Sequence, residues 1–259
     1  MNWTQVAYRY DGSFAGFLTC VYEAYVNREA PIDFRPDACP LCSLYPERTV
    51  VTHQSHAKRV FRSVKEKFGG PGQNMVSRGF LTCLEDKELW LWRFIQLGYE
   101  QGPSVTKHLA DPTVDRVRRA VQHLNNEAHL LTGFVRFSDV GGVLAGEITP
   151  KNRVLPLLRP HFCGRLSTES FILYDHTHRE ALFAQPGRWA ILPVDDFHLG
   201  PPSGEERAFR EMWRAFYKTV SIEGRYNPKC RQTHMPKRYW GNMTEFQTDL
   251  PDGLLPPAK

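Results

Sequence analysis

Residues 170–193 read SFILYDHTHREALFAQPGRWAILP. Ser170 to Tyr174, Glu180 to Ala184 and Trp189 to Leu192 are short β-type runs with turn residues between them. Pro193 ends the third run, because proline has no N–H to give a sheet ladder. Two runs upstream, Gly133 to Phe137 and Val143 to Ile148, extend the pattern to about five strands. Between Val143–Ile148 and Ser170–Tyr174, Val154-Leu155-Pro156-Leu157-Leu158 leads into His161-Phe162 and reads as a short helix packed on the sheet.

The flanks of this β-rich region are helical. Val6 to Tyr10 alternates and reads as a short strand, Asp11-Gly12 is a turn, and Ser13 can cap the helix that follows. Phe14, Phe17, Leu18, Val21, Tyr22 and Tyr25 recur at helical spacing, which predicts one buried face. Pro31, Pro36, Pro40 and Pro46 predict a loop over residues 31–48. A helix resumes near Ser55 and runs to about Phe68, where Gly69-Gly70-Pro71-Gly72 breaks it; no Gly-Lys-Ser/Thr closes that string, so it is not a phosphate-cradling loop. Residues 79–132 are helical in pieces, the last burying Val114, Val117, Val121, Leu124 and Ala128. Downstream, Ser203-Gly204-Glu205-Glu206 is a capping box, and Phe209, Met212, Trp213, Phe216, Tyr217 and Val220 follow at helical spacing. This order predicts an α+β fold: a helical N-terminal half, an antiparallel β-meander of about five strands, and a C-terminal helix with a basic extension. The expected organisation is one compact domain over 1–248, with a helical subdomain at 55–132, and a disordered proline-containing tail at 249–259.

The 259 residues are 41% hydrophobic and 12% aromatic, enough to bury a core and to exclude global disorder. The net charge of +5 favours an anionic partner. The six cysteines do not form the dense framework of a secreted disulfide scaffold. No basic-then-apolar leader opens the chain, and no long uninterrupted apolar stretch spans a membrane. A reducing cytoplasm is the expected compartment.

The charge is concentrated in residues 224–244, GRYNPKCRQTHMPKRYWGNMT. Arg225, Lys229, Arg231, Lys237 and Arg238 occur there without one acidic residue, His234 adds a titratable group, and Tyr226, Tyr239 and Trp240 are interleaved. Cations can contact phosphates while exposed rings stack on bases, each stacked base contributing roughly 1–3 kcal/mol. A solvated basic stretch anchored by its aromatics explains the same composition. Cys39 and Cys42 with His53 and His56 form a C-x2-C-x10-H-x2-H array, but the histidine spacing is shorter than tetrahedral zinc sites use. Unliganded loop cysteines are the preferred reading, with no cofactor expected and zinc as the minor alternative. Asp175-His176-Thr177-His178-Arg179 lies at a predicted turn and, with His161, offers nitrogen ligands or an acid–base pair, though turn histidines are usually just solvated. Glu127 and His129, with Arg136, make another polar cluster that a structural ion pair explains equally well. No nucleophile elbow, deaminase signature or dinucleotide fingerprint is present.

Several strings taken together resemble an uncharacterised bacterial family, domain-of-unknown-function family 4130, described as a DNA metabolism or DNA repair protein. They are Tyr10-Asp11-Gly12-Ser13-Phe14 with Gly16-Phe17-Leu18; Glu127-Ala128-His129 with Gly133 to Phe137; Glu147-Ile148-Thr149-Pro150 through Leu158 to His161-Phe162 and Arg165; Ile172, Asp175 and Arg179; and Asn227-Pro228-Lys229 through His234 to Trp240 and Thr244-Glu245-Phe246. The resemblance implies a neighbouring radical S-adenosylmethionine protein as partner, and elsewhere in the family a fusion to a uracil-DNA glycosylase-like domain that is absent here. It supplies no catalytic residues. The expectation is therefore a nucleic-acid-binding accessory protein, with DNA as partner and RNA not excluded, and no membrane. Its contacts would be the 224–244 cations and rings together with Arg136, Arg165 and Arg179. The alternative is a nuclease- or glycosylase-type enzyme built on Glu127, His161, Asp175 and His234.

Overall fold

The computed structural model describes residues 3–37, 43–200, 202–220, 222, 224 and 227–246. The fold is α+β, as the sequence predicts. Where the sequence predicts one domain to residue 248, the chain divides into two compact units, Met1–Asn125 and Asn126–Lys259. The predicted tail at 249–259 lies outside the described residues.

The first unit opens with β1 (Thr4–Tyr10) and α1 (Phe14–Asn27). Ser13 caps α1 as predicted, its Oγ accepting from the Gly16 amide at 2.9 Å. The predicted 31–48 loop is in part sheet: β2 (Glu29–Pro36) and β3 (Glu47–Thr49) pair parallel to either side of β1. Prolines are tolerated because β2 is an edge strand, where a missing N–H breaks no ladder on the open side. Pro31 pairs with Val6, next to a register shift between Val6 and Ala7. β1 is central, with Val6, Ala7, Tyr8 and Tyr10 buried.

α2 (Gln54–Phe80) continues past the predicted break at Gly69. The glycines and Pro71 kink the helix: Gly69 alone leaves helical geometry, at φ 74° and ψ 178°, and the helix restarts with Pro71 in its first turn. α3 (Lys87–Gln101) follows, then α4 (Pro112–Phe134), which buries Val114, Val117, Val121, Leu124 and Ala128 as predicted. Phe17, Val21, Val64, Phe68, Phe94 and Ile95 fill this unit's core.

In the second unit, α4 runs on through Gly133, which the sequence assigned to a strand. The Val135 amide still bonds the Leu131 carbonyl at 3.1 Å, so β4 (Phe137–Val140) starts later. It heads a five-stranded sheet in sequence order with β5 (Val143–Ile148), β6 (Phe171–Asp175), β7 (Glu180–Gln185) and β8 (Arg188–Pro193). Four of the five strands are those predicted, β4 shares only Phe137 with its predicted run, and three neighbouring pairs are antiparallel. β5 and β6 are parallel, because the predicted helix between them, α5 (Leu155–Arg165), acts as a crossover. α5 buries Leu155, Leu158 and Phe162. α6 (Gly204–Thr219) and α7 (Pro228–His234) follow.

Candidate nucleic-acid interface

The basic segment folds as α7 and a 3-10 turn at Lys237–Asn242. Asn227 starts α7 by accepting from the Cys230 amide at 3.0 Å, and Pro228 occupies the first turn, where no N–H is needed. No residue of α7 is buried. Lys229, His234 and Lys237 are exposed. Arg225 and Tyr226 lie outside the described residues.

The rings serve differently from the sequence expectation. Tyr239 is 3% exposed and packs 5.4 Å from Phe134, so it cannot stack on a base without leaving the core. Trp240 is half-buried: it stacks on Phe246 at 4.5 Å, its indole N–H donates to the Met235 carbonyl at 3.0 Å, and Arg231 lies 4.9 Å over the ring. Both aromatics anchor the segment, and the cations around them remain at the surface.

Glu127 fixes the anchor. It is 1% exposed and accepts from the Lys151 amide at 3.0 Å, the Asn152 amide at 2.8 Å and the Asn152 side chain at 2.6 Å. Arg238 approaches it at 3.2 Å and also bonds the Tyr239 hydroxyl. Burial alone would raise the pKa of Glu127, but the backbone and Asn152 donors and the Arg238 charge outweigh it and hold the carboxyl below its ordinary 4.5. Glu127 is thus an ionised acceptor with its oxygens occupied. Arg238, expected to face phosphate, spends part of its charge here.

Arg136 is likewise committed. Its Nη2 and Nε donate to Glu245 at 2.6 and 3.1 Å, and its guanidinium lies 5.4 Å over Trp213. The Glu245 side chain is 1% exposed; burial would raise its pKa, but Arg136, a backbone amide and the Trp213 N–H together lower it. Asp175 is fully buried and accepts from the Thr177 and His178 amides and from His178 Nδ1 at 2.7 Å. It shapes the β6–β7 turn, in which Arg179 adopts a left-handed φ of 52°. His176 pairs with Glu147 at 2.9 Å. His161 and Arg165 are exposed on α5. Among the described residues, Arg165, Arg179, Lys229, His234 and Lys237 are exposed and form no ion pair.

Cys39 and Cys42 lie outside the described residues. His53 precedes α2, and His56 in its first turn stacks on Tyr22 at 4.0 Å beside Glu23. No group of three or more potential metal ligands occurs among the described residues, and no described helix is long and apolar enough to cross a membrane.

Sequence reasoning missed the clamps on these groups. Asn152 and Glu245 lie 25 and 109 residues from the side chains they hold, and no local pattern marks such pairings.

The family model of a domain of unknown function, DUF4130, matches residues 85–245. The matched span takes in Glu127 and the 227–245 segment; the strings at residues 10–18 lie outside it. No curated protein and no solved structure matches the chain.

Proposed function

The chain belongs to the DUF4130 family, and we propose that it is a nucleic-acid-binding accessory protein in bacterial DNA repair or modification, acting beside a radical S-adenosylmethionine enzyme. The observation that carries nucleic-acid binding is the pair of exposed lysines Lys229 and Lys237, with the exposed His234 between them in sequence. It lies within a 21-residue stretch that has no acidic residue and is held in place by the buried Tyr239 and the Trp240–Phe246 stack. Exposed cations on an anchored segment can contact phosphates. The repair context and the radical partner rest on the family resemblance of the sequence.

The accessory role is favoured over an enzyme by how the candidate catalytic groups are used. Glu127 is saturated by donors, Asp175 is engaged by its own turn, and His161 and His234 contact neither of them among the described residues. A general acid or base needs a proton site open to substrate.

The test is fluorescence anisotropy with single-stranded and duplex DNA and RNA over a salt series. Lys229→Ala with Lys237→Ala should weaken binding roughly tenfold and flatten the log–log salt slope by about 2, since each lost phosphate contact removes about 0.9. Unchanged affinity and slope in the double variant would remove the proposal.

A further inference from the structure

α6 is seated by its polar side. Glu206 accepts from the Asp139 amide at 3.1 Å and from Arg210 Nε at 2.8 Å, and Arg210 donates to Ser138 Oγ at 2.7 Å. One and two turns on, Arg214 donates to the Thr244 carbonyl at 3.2 Å and Tyr217 meets the Phe246 ring. Positions 206, 210, 214 and 217 share one helix face. The flank beside that face carries Phe209, Met212, Phe216 and Val220, each 57–63% exposed, with Trp213 at 37% on the margin next to the seated side and Ile222 beyond the helix end. A helix with its apolar stripe outward inverts the usual arrangement, and such a patch marks an interaction surface.

We propose that the occupant is a second copy of this chain, with the two α6 helices packed antiparallel about a two-fold axis between Met212 and Trp213. The first argument is self-complementarity. Phe209 and Phe216 are equidistant in sequence from that midpoint, so an antiparallel copy sets Phe209 against the partner's Phe216 and Met212 against the partner's Trp213. An isologous interface requires this pairing of i with j and j with i. The second argument is area. With aromatic side chains at about 150–250 Å² each, the six exposed residues leave on the order of 600 Å² per chain uncovered, so a pair buries about 1,200 Å² in total, the lower bound of stable interfaces. The third is charge. Arg207, Glu211 and Lys218 lie on the far side of the helix, so no like charges meet along the seam. Ala208 and Ala215 flank the stripe and allow close approach.

Other occupants fit less well. Bases would stack on Phe209 and Phe216, but Met212, Val220 and Ile222 offer no ring. A lipid surface favours cations along both margins of the stripe, whereas Glu205 stands in line with it and Arg207 and Lys218 lie on the far side.

Sedimentation of the full chain across roughly 1–100 µM, a range suited to an interface of this modest size, is expected to show a species of twice the 29.9 kDa chain mass. Phe209→Glu with Phe216→Glu should be monomeric with an unchanged far-UV circular dichroism spectrum, because both side chains are largely exposed in the single chain. Phe209→Cys with Phe216→Cys should give a covalent dimer on oxidation that neither single variant gives. With the exposed Cys83 and Cys230 replaced by serine in all three proteins, and with these positions about 10 Å apart within one helix, beyond disulfide reach, the bond joins two chains. A wild-type chain that stays monomeric throughout overturns the proposal, as does a dimer that survives the double glutamate change. If the chain is monomeric and the double variant loses oligonucleotide binding, the face belongs to nucleic acid and the dimer is overturned. Because the proposed function rests on Lys229 and Lys237, a wild-type chain that is monomeric yet binds oligonucleotide overturns the dimer and leaves the proposed function standing.

Discussion

At the scale of single residues, Glu127 is the pivot of the second unit. It reads in the sequence as one polar residue in Glu127-Ala128-His129, equally suited to catalysis or to an ion pair. In the structure it pairs with Arg238 and accepts from two backbone amides and Asn152. Removing it would leave those donors and the Arg238 charge unanswered. Glu127→Ala should therefore lower unfolding stability by about 3 kcal/mol, the cost of breaking a buried charged pair, as read from urea denaturation. A change within experimental scatter would mean that water replaces the carboxylate. Arg136 and Asp175 follow the same logic: each was a candidate for contact with substrate, and each is paired within the protein. Polar residue types were legible in the sequence, but their partners were not.

At the scale of elements, the strands and helices were largely legible, and the exceptions have local causes. The proline-rich 31–48 stretch yields β2 and β3 because an edge position forgives a missing donor. α2 passes through its glycine cluster because one residue, Gly69, absorbs the whole kink. Its φ of 74° with ψ of 178° lies in a region open essentially to glycine alone, so Gly69→Ala should cost about 1–3 kcal/mol. Gly70→Ala, one position on, has open space around its Cβ and no positive φ, and should be neutral or slightly stabilising. Thermal melts of the two variants check the contrast; equal losses would place the strain elsewhere. α6 shows the limit of periodicity. Ser203 caps it as predicted, but Glu206 does not reach back to the cap: it holds Asp139 and Arg210 instead. Its apolar stripe points outward.

At the scale of the whole molecule, charge couples stability to pH. Burial favours protonation of both Glu127 and Glu245, but hydrogen-bond donors and the Arg238 and Arg136 guanidinium groups outweigh it, so both folded pKa values lie below the unfolded 4.5. A depressed carboxylate contributes stability above the unfolded pKa, and that contribution is lost as pH falls through the folded value. The melting temperature should therefore hold down to about pH 5 and drop below about pH 4, with a shallower drop in Glu127→Gln; a profile identical in both proteins would show that Glu127 titrates normally. The sequence by itself determined the α+β class, four of the five strands of the second sheet, the caps of α1 and α6 and the position of the cationic segment, because backbone propensity, turn chemistry and periodicity act over a few residues. Only the tertiary structure decided which rings anchor and which cations stay free, that β5 and β6 run parallel, and which side of α6 is buried. Those outcomes depend on partners up to 112 residues away, which pack or pair with a side chain whatever its neighbours in sequence are.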